Sequence, residues 1–408
     1  MPLTWLFLTV GVWCAAVCAQ EPVSTEPSIK STPGEDEFQI AAVATVNNFG
    51  KRVYQALSST QGNFVISPLS AVLMSLLWGG SGGRTAHELG GLLQLPDDFA
   101  AVQIGFYSLL RELQGLENTG AFQLAQRIYL QEGSHVMPEF KLAAKNFFLL
   151  SVNEINFAMD AETARRSINS WIEERTRNRI KEPIRPGMVD QNTKMLLVSA
   201  LYLKARWAIP FGSEMTTTEK FHINLASTQD VQMMHSQQVL RQALVEELDA
   251  TMLEIPFENQ GLCMLIILPI GFSGVRRLES RLAIFNLADA VNRLTPYKVN
   301  VSLPKFYMEK TVMLNSILEE LGMSSMFQYN ANFTGLAKHT VYTSQSVQKV
   351  AIQVVESGIE AASFRSGFGD VYPDGPVIDF KANHPFVYMV YESLTGTILF
   401  IGRYLRPQ

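Results

Sequence analysis

The feature that most constrains the fold is that residues 38–408 contain no linker. No stretch in this range has the composition of an interdomain connection, although a length of 408 residues alone would suggest two or three domains. Helical patterns such as 311–322 and strand-like runs such as Val350–Val355 follow one another without regular alternation. Two final runs, Phe386–Tyr391 and Thr397–Gly402, flank a turn and predict a buried hairpin. The sequence therefore predicts an α+β arrangement rather than a doubly wound fold.

The first 37 residues differ in composition from the rest of the chain. An apolar run that ends in a Val-Cys-Ala cleavage pattern predicts a signal peptide over residues 1–19, although no basic residue precedes the run. The run is too short to span a membrane. Residues 20–37 are polar, acidic and Pro-containing, which predicts a disordered tail. We therefore expect a secreted, extracellular protein whose ordered part begins near Phe38.

Cysteine and asparagine patterns bear on how an extracellular chain would be stabilised and modified. Removal of residues 1–19 would leave Cys263 as a single cysteine, which can form no internal disulfide and is predicted to be a buried, inert thiol. Two N-glycosylation sequons begin at Asn300 and Asn332. Asn332 lies in a polar, turn-rich stretch and is the better candidate. Asn300 opens a strand-like run and is expected to be less accessible.

Several classes of function lack their sequence signals. The net charge is −5, and the basic stretch 175–181 is flanked by Glu173, Glu174 and Glu182, which indicates a solvated helix face and no nucleic-acid site. The six histidines form no H-x-x-x-H pair, and no Walker or dinucleotide motif is present, so no metal or cofactor is expected. Residues 79–83 match the G-x-S-x-G nucleophile pattern, but an amphipathic helix precedes Ser81 where that chemistry needs a strand. We therefore predict that the chain is not an enzyme.

Several blocks of sequence together resemble the motifs of the serpin family of serine-protease inhibitors. They are Asn63–Ser70, Ala200–Phe211, Met264–Pro269, Leu303–Phe306, Leu321–Met323 and the C-terminal signature from Phe380 to Arg403. The resemblance implies a single serpin domain over residues 38–408, with three β-sheets surrounded by helices and an exposed reactive-centre loop. It also implies a monomeric suicide inhibitor. A serine protease cleaves the loop, the loop inserts into the main sheet as an extra strand, and the acylated protease is carried along and distorted.

The resemblance also assigns residues to parts of this mechanism. The segment that begins at Glu356 resembles the inhibitory hinge, in which small side chains can slide between two strands. Its residues are Glu356, Gly358, Ile359, Glu360, Ala361, Ala362 and Ser363. Lys305 matches the lysine that pairs with the hinge glutamate. The shutter beneath the main sheet is expected at Ser67, Ser70, Ser199 and Gln348. Ser199 stands where the family has Asn and Gln348 where many members have His, and both can still hydrogen-bond.

Two residues of the loop depart from the family pattern. Ile359 replaces Thr or Ser at a position that faces the core after insertion, and its apolar side chain is expected to be tolerated. Arg365 lies six residues further on and therefore faces the same way, because side chains alternate along a strand. A buried, unpaired charge costs several kcal/mol, so Arg365 is expected to stall insertion partway unless it finds an acidic partner or snorkels.

The reactive bond and the target protease stay open at this level. The usual span from Gly358 ends at Tyr372, which would suit a chymotrypsin-like protease, although Pro373 after it hinders cleavage. Counting back from the C-terminal signature gives Val371, which would suit an elastase-like protease. The small-residue hinge favours an inhibitor. Arg365, Pro373 and the altered shutter favour a non-inhibitory serpin that acts as a binding, carrier or chaperone module.

Overall fold

The computed structural model describes residues 35–259, 261–357 and 376–407. Its α-helices are α1 (Glu35–Ser58), α2 (Ser70–Gly79), α3 (Gly83–Leu93), α4 (Phe99–Asn118), α5 (Pro138–Phe147), α6 (Phe157–Arg175), α7 (Val275–Leu282), α8 (Leu287–Asn292) and α9 (Asn315–Glu320). Its strands are β1 (Phe64–Ile66), β2 (Phe122–Gln131), β3 (Ser151–Ile155), β4 (Met195–Leu203), β5 (Thr217–Asn224), β6 (Ser227–Val245), β7 (Ala250–Pro256), β8 (Leu262–Pro269), β9 (Thr295–Pro304), β10 (Phe306–Met313), β11 (Thr343–Val354), β12 (Ile378–Lys381), β13 (Phe386–Glu392) and β14 (Thr397–Tyr404). Short 3-10 helices lie at Ser213–Met215, Glu246–Leu248 and Ser325–Phe327.

A five-stranded sheet in the order β10-β11-β4-β2-β3 carries the candidate site. The pairs β11–β4 and β2–β3 are parallel, and the other two are antiparallel. Both faces of β4 are covered, because Leu197 and Leu201 pack in the larger core while Val198 and Ala200 pack in a smaller core with α6. Burial on both faces explains why β4 reads as an almost unbroken apolar run rather than as an alternating one.

The other described strands form a nine-stranded sheet in the order β1-β14-β13-β8-β7-β6-β9-β12, with β5 added at β6. The 19-residue strand β6 holds this sheet together, since it pairs with β5, then with β9, and at its end with β7. The resemblance implies three sheets, and two of them are continuous here because β6 is long enough to belong to both. The α+β class predicted from the sequence is confirmed, and so is the C-terminal hairpin, whose strands β13 and β14 pair antiparallel.

Two boundaries differ from those predicted. Helix α1 begins at Glu35, inside the stretch 20–37 predicted to be a tail, and acidic residues at a helix N-terminus are favoured by the helix dipole. The helical pattern predicted at 311–322 is partly wrong, because residues 311–313 belong to β10 and the helix covers Asn315–Glu320. The pairing of β10 with β11 continues as far as Met313 and overrides the local helical periodicity.

The glycine-rich stretch around Ser81 is a helix end. Ser81 follows α2 and precedes α3, and its hydroxyl donates to the carbonyl oxygen of Trp78 at 2.7 Å. The nucleophile motif needs a strand before the serine, and a helix lies there instead. The stretch is therefore a turn between two helices, as predicted.

Candidate functional site

The candidate site is the pair of parallel strands β11 and β4 at the centre of the five-stranded sheet. Their register places Gln348 beside Ser199 and Ala351 beside Tyr202. Directly after β11 the chain turns at Glu356. A segment that turned back here and entered the sheet between the two strands would run antiparallel to both.

Aromatic side chains fix the point where the chain leaves β11. The indole N–H of Trp207 donates to the carbonyl oxygen of Val355 at 2.8 Å, and the backbone N–H of Phe211 donates to that of Glu356 at 2.8 Å. Trp207 is buried, stacks on Phe257 with 4.6 Å between ring centroids, and meets Phe211 edge-on at 5.9 Å. These contacts fix the position of the end of β11 and of Glu356.

Lys305 and Glu356 lie together at this exit. The Lys305 ammonium is 2.9 Å from one carboxylate oxygen of Glu356, and the Thr216 hydroxyl donates to the other at 3.0 Å. Burial alone would raise the pKa of Glu356, but the hydrogen bonds from Lys305, from its own backbone N–H and from Thr216 outweigh burial and lower that pKa. The Lys305 side chain is 42% exposed, so the ion pair contributes little to the stability of the fold. Its main effect is to hold Glu356 in place after the end of β11.

Gln348 anchors β11 to the segment that leads into α2. Its side-chain oxygen accepts from the backbone N–H of Ser67 at 2.9 Å. Its amide nitrogen donates to the Ser67 carbonyl at 2.7 Å and to the Ser70 hydroxyl at 2.6 Å. Both serines and Gln348 are buried, so each of these bonds is made away from competing water.

Ser199 of β4 is anchored through a residue that the sequence analysis missed. Gln126 of β2 donates to the Ser199 hydroxyl at 3.1 Å and to the Leu69 carbonyl at 2.8 Å. Register places Gln126 beside Ser199, which itself lies beside Gln348. A glutamine at a buried position in β2 is the signal that could have identified it, because buried polar side chains need specific partners.

The segment Ser67–Ser70 therefore bridges the underside of the two strands. Gln348 binds it from the side of β11, and Gln126 binds it from the side of β4. Gln126, Ser199 and Gln348 form one row across β2, β4 and β11. The side-chain hydrogen bonds described for this row run to Ser67–Ser70 or between the neighbouring strands β2 and β4, and none of them runs from Gln348 to Ser199. Separating β11 from β4 at this point would break the backbone hydrogen bonds between the two strands. The side-chain hydrogen bonds of Gln348 and Gln126 to Ser67–Ser70 do not cross between β11 and β4, so they could remain.

Most residues assigned to the hinge and the reactive bond lie outside the described residues. They are Gly358, Ile359, Glu360, Ala361, Ala362, Ser363, Arg365, Val371, Tyr372 and Pro373. Of the residues assigned to this mechanism, the structure brings together Lys305 with Glu356, and Ser67 and Ser70 with Gln348.

The two sequon asparagines show the reverse of the expected accessibility. Asn300 is exposed on β9, where its amide nitrogen donates to Asp379 at 2.8 Å. Asn332 is half-buried, and its side-chain oxygen accepts from the hydroxyl of Thr334 at 3.0 Å. The prediction that Asn300 is less accessible is wrong, because the outward face of β9 is open at this position.

Cys263 lies in β8 with its thiol buried. Burial and the nearby carboxylate of Glu254 raise the pKa of the thiol to about 12. The thiolate is the reactive form, so the expected inert thiol agrees with this environment.

Two features are absent from the part of the chain that the structure describes. Over these residues no helix combines the length and apolar character needed to cross a membrane. Within the same ranges, no group of three or more His, Cys, Asp or Glu side chains is placed to hold a metal ion.

Comparison with known proteins gives a consistent result. A family model described as Serpin (serine protease inhibitor) matches residues 44–407. The human leukocyte elastase inhibitor is 30% identical over 370 residues, which cover 88% of this chain and 97% of that protein. The leukocyte elastase inhibitor of Sus scrofa is 31% identical over 381 residues, with 90% and 100% covered. The crystal structure of Serpin48, described as a highly specific serpin in the insect Tenebrio molitor, superimposes with a TM-score of 0.80 at 29% identity, covering 93% of this chain and all of that one.

This comparison corrects the expected location. The relatives named leukocyte elastase inhibitor are intracellular and lack a classical signal peptide. The prediction of a secreted, extracellular protein is therefore contradicted. Residues 1–19 lack the basic residues that usually open a signal peptide, which is the physical weakness of that prediction. Glycosylation at Asn300 or Asn332 requires the secretory pathway and rests on the two sequons alone.

Proposed function

Because the chain belongs to the serpin family, whose members are protease inhibitors rather than enzymes, we propose that it is a suicide inhibitor of serine proteases. In this proposal a protease cleaves the segment after β11, and the segment then inserts between β11 and β4. The parallel pairing of β11 with β4 is the observation that carries the proposal. Insertion would replace one parallel ladder by two antiparallel ladders, which are more stable per residue, and would add a strand to the sheet.

The length of the site supports a reactive bond near Val371 or Tyr372. Glu356 and Ser357 form the turn after β11. A strand that reverses there would need residues 359–370 to cover the 12 residues of β11. The bond after Val371 or Tyr372 would then reach the far end of the sheet, about 40 Å from the turn at about 3.3 Å per residue. That distance is the displacement imposed on an acylated protease.

In this proposal, alternate hinge residues would meet the two different faces of the sheet. Val350, Ile352 and Val354 of β11 face the larger core, whereas Val347 and Ala351 face the smaller one. Residues directly opposite each other in an antiparallel pair point to the same face. Three hinge residues would therefore enter the larger core: Ile359, Ala361 and Ser363. Their small or apolar side chains fit that environment, while Glu360 and Ala362 would face the other way.

The target we propose is an elastase-like serine protease. The human and Sus scrofa relatives described above are named leukocyte elastase inhibitor, and Val371 would suit an elastase-like protease. Cleavage after Tyr372 by a chymotrypsin-like protease is the second possibility within this proposal. We propose that the inhibitor acts as a monomer.

A non-inhibitory binding module is the second candidate, favoured by one structural observation. The same register would place Arg365 opposite Gln348, whose side-chain oxygen and nitrogen are already engaged by Ser67 and Ser70. The guanidinium would then lie among Gln348, Ser199 and Gln126, which are neutral and offer it no carboxylate. If insertion stalls there, the segment could still present a binding surface.

The test is incubation of the full chain with elastase-like and chymotrypsin-like proteases, followed by denaturing gel analysis for a covalent complex. A matched pair of variants separates insertion from cleavage. The double variant Glu360→Ala/Ala361→Glu keeps the net charge but moves a carboxylate to the core-facing side. The control is Glu360→Ala alone.

We expect wild type and the control to form a covalent complex, and the double variant to be cleaved without one. Mass spectrometry of the released fragment identifies the cleaved bond. Cleavage of wild type without any complex, by every protease in the panel, would refute inhibition and favour the binding module.

A further inference from the structure

Two histidines from distant parts of the sequence lie side by side at one end of the five-stranded sheet. His135 follows β2, and His339 lies in the segment that leads into β11. Strand β2 ends at the edge where β11 begins, because β2 is antiparallel to β4 and β11 is parallel to it. The backbone N–H of Lys338 donates to the carbonyl oxygen of His135 at 3.2 Å, and Val136 forms an isolated antiparallel bridge with Ala337. Main-chain contacts therefore hold the two histidines close together without the help of their side chains.

The two imidazole rings are spaced as two ligands of one metal ion would be. Their centroids are 5.1 Å apart, and their planes are inclined by 50°. Two imidazoles that bind one tetrahedral Zn²⁺ ion at about 2.0 to 2.1 Å have centroids about 5 Å apart. Both residues are exposed, so an ion and its remaining water ligands can enter from solvent. The spacing and the access therefore fit a shared ion.

The fold does not use the ring nitrogens of this pair. Within the residues that the structure describes, neither His135 nor His339 has a side-chain hydrogen bond or an ion pair. His235 shows the contrast, because its ring nitrogens lie 3.0 Å from the hydroxyl of Ser302 and 2.7 Å from the carboxylate of Glu219. A neutral imidazole has one nitrogen that can accept a hydrogen bond or bind a metal ion. In His135 and His339 that nitrogen is available.

We propose that His135 and His339 together bind one Zn²⁺ ion, whose other positions are filled by water. Imidazole nitrogen suits Zn²⁺, whereas Mg²⁺ and Ca²⁺ prefer oxygen ligands. A pair is smaller than the groups of three or more metal-binding side chains that are absent from the described ranges, so the site is open and its ion exchanges with solvent. The ion ties the segment after β2 to the segment before β11. It stabilises the folded chain, because the two histidines are far apart in the unfolded one.

The site is tested by titration calorimetry of the full chain with Zn²⁺, and with Mg²⁺ as the ion that should not bind there. The variants are His339→Gln and His135→Asn, since asparagine tolerates the left-handed backbone of residue 135, where φ is +53°. His87→Asn is the matched control, because His87 is also exposed but lies on α3. Any other Zn²⁺ site of the chain is common to all four proteins, so the difference between them isolates this one.

We expect each of the two variants to bind Zn²⁺ at this site at least about tenfold more weakly than wild type, since loss of even an outer partner of a metal costs about 10- to 100-fold. Zn²⁺ should raise the Tm of wild type and of His87→Asn by more than that of either variant. His339→Gln carries the test if His135→Asn does not fold. Equal Zn²⁺ affinity and equal Tm gain in wild type and His339→Gln would overturn the proposal. An equal loss in His87→Asn would overturn it too, because that loss would place the ion elsewhere.

Discussion

Replacing Arg365 by threonine tests whether the cleaved segment can complete the sheet. Antiparallel pairing that begins at the turn after β11 places residue 365 opposite Gln348, and Gln348 lies beside Ser199 in the present register. Gln348 points toward Ser67, so a residue opposite it would point the same way, into the buried side of the sheet. Arg365 would therefore bring a guanidinium to the shutter.

The magnitude follows from what that row offers. Gln348 has its oxygen and nitrogen engaged, and the side-chain oxygen of Gln126 is the acceptor without a partner among the described residues. One neutral acceptor cannot satisfy a guanidinium with five N–H donors. An unpaired buried charge costs about 3 to 5 kcal/mol. With an unfolding entropy of about 2.1 cal/mol/K per residue, this cost lowers the Tm of a chain of this length by about 4 to 6 °C.

The assay is thermal unfolding of the cleaved proteins, with the cleavage position checked by mass. Cleaved Arg365→Thr should melt about 4 to 6 °C above cleaved wild type, and Arg365→Lys, which keeps the charge, should not. The uncleaved proteins should melt together, because the burial occurs after insertion. Arg365→Thr should also give more covalent complex, since faster insertion leaves less time for the acyl intermediate to hydrolyse. A cleaved wild type that already matches Arg365→Thr in Tm and complex yield would refute the reasoning.

Three further predictions concern the described residues. The stability difference between wild type and Glu356→Gln should be below about 1 kcal/mol at pH 7, because the pair is partly exposed. The difference should vanish as the pH falls through the lowered pKa of Glu356, because the carboxyl then protonates in the folded state too, and urea unfolding across pH measures this. Cys263 should resist a thiol reagent at pH 8 in the native protein and react fully in denaturant, and rapid native labelling, seen by mass, would contradict its burial. Gln348→Ala should lower the free energy of unfolding by about 2 to 4 kcal/mol, because it leaves its buried partners in Ser67 and Ser70 unpaired. The control Gln345→Ala, on the half-buried part of the same strand, should cost under about 1 kcal/mol. Equal costs for the two variants would argue against Gln348 as the residue that anchors β11.

Local patterns were sufficient for some elements because their information is contained in neighbouring residues. The C-terminal hairpin could be predicted from two apolar runs around a turn, and the helix before Ser81 from its Ser-Pro start and Gly-Gly end. The family motifs predicted the architecture that the comparisons confirm. The 19-residue strand β6 was not predicted, since its polar sequence carries no simple alternation and its pairing with three other strands defines it.

The sequence by itself determined the class, the family and the residue types at the hinge and shutter, because these are properties of composition, order and local motif. Tertiary structure decided which of them meet. Gln126, Ser199 and Gln348 come from three strands, separated by 73 and more positions, and they form one row through the register of the sheet. Sequence spacing holds no measure of that register. It is set by the burial of both faces of β4, since a slip by one residue would exchange every side chain between the two cores.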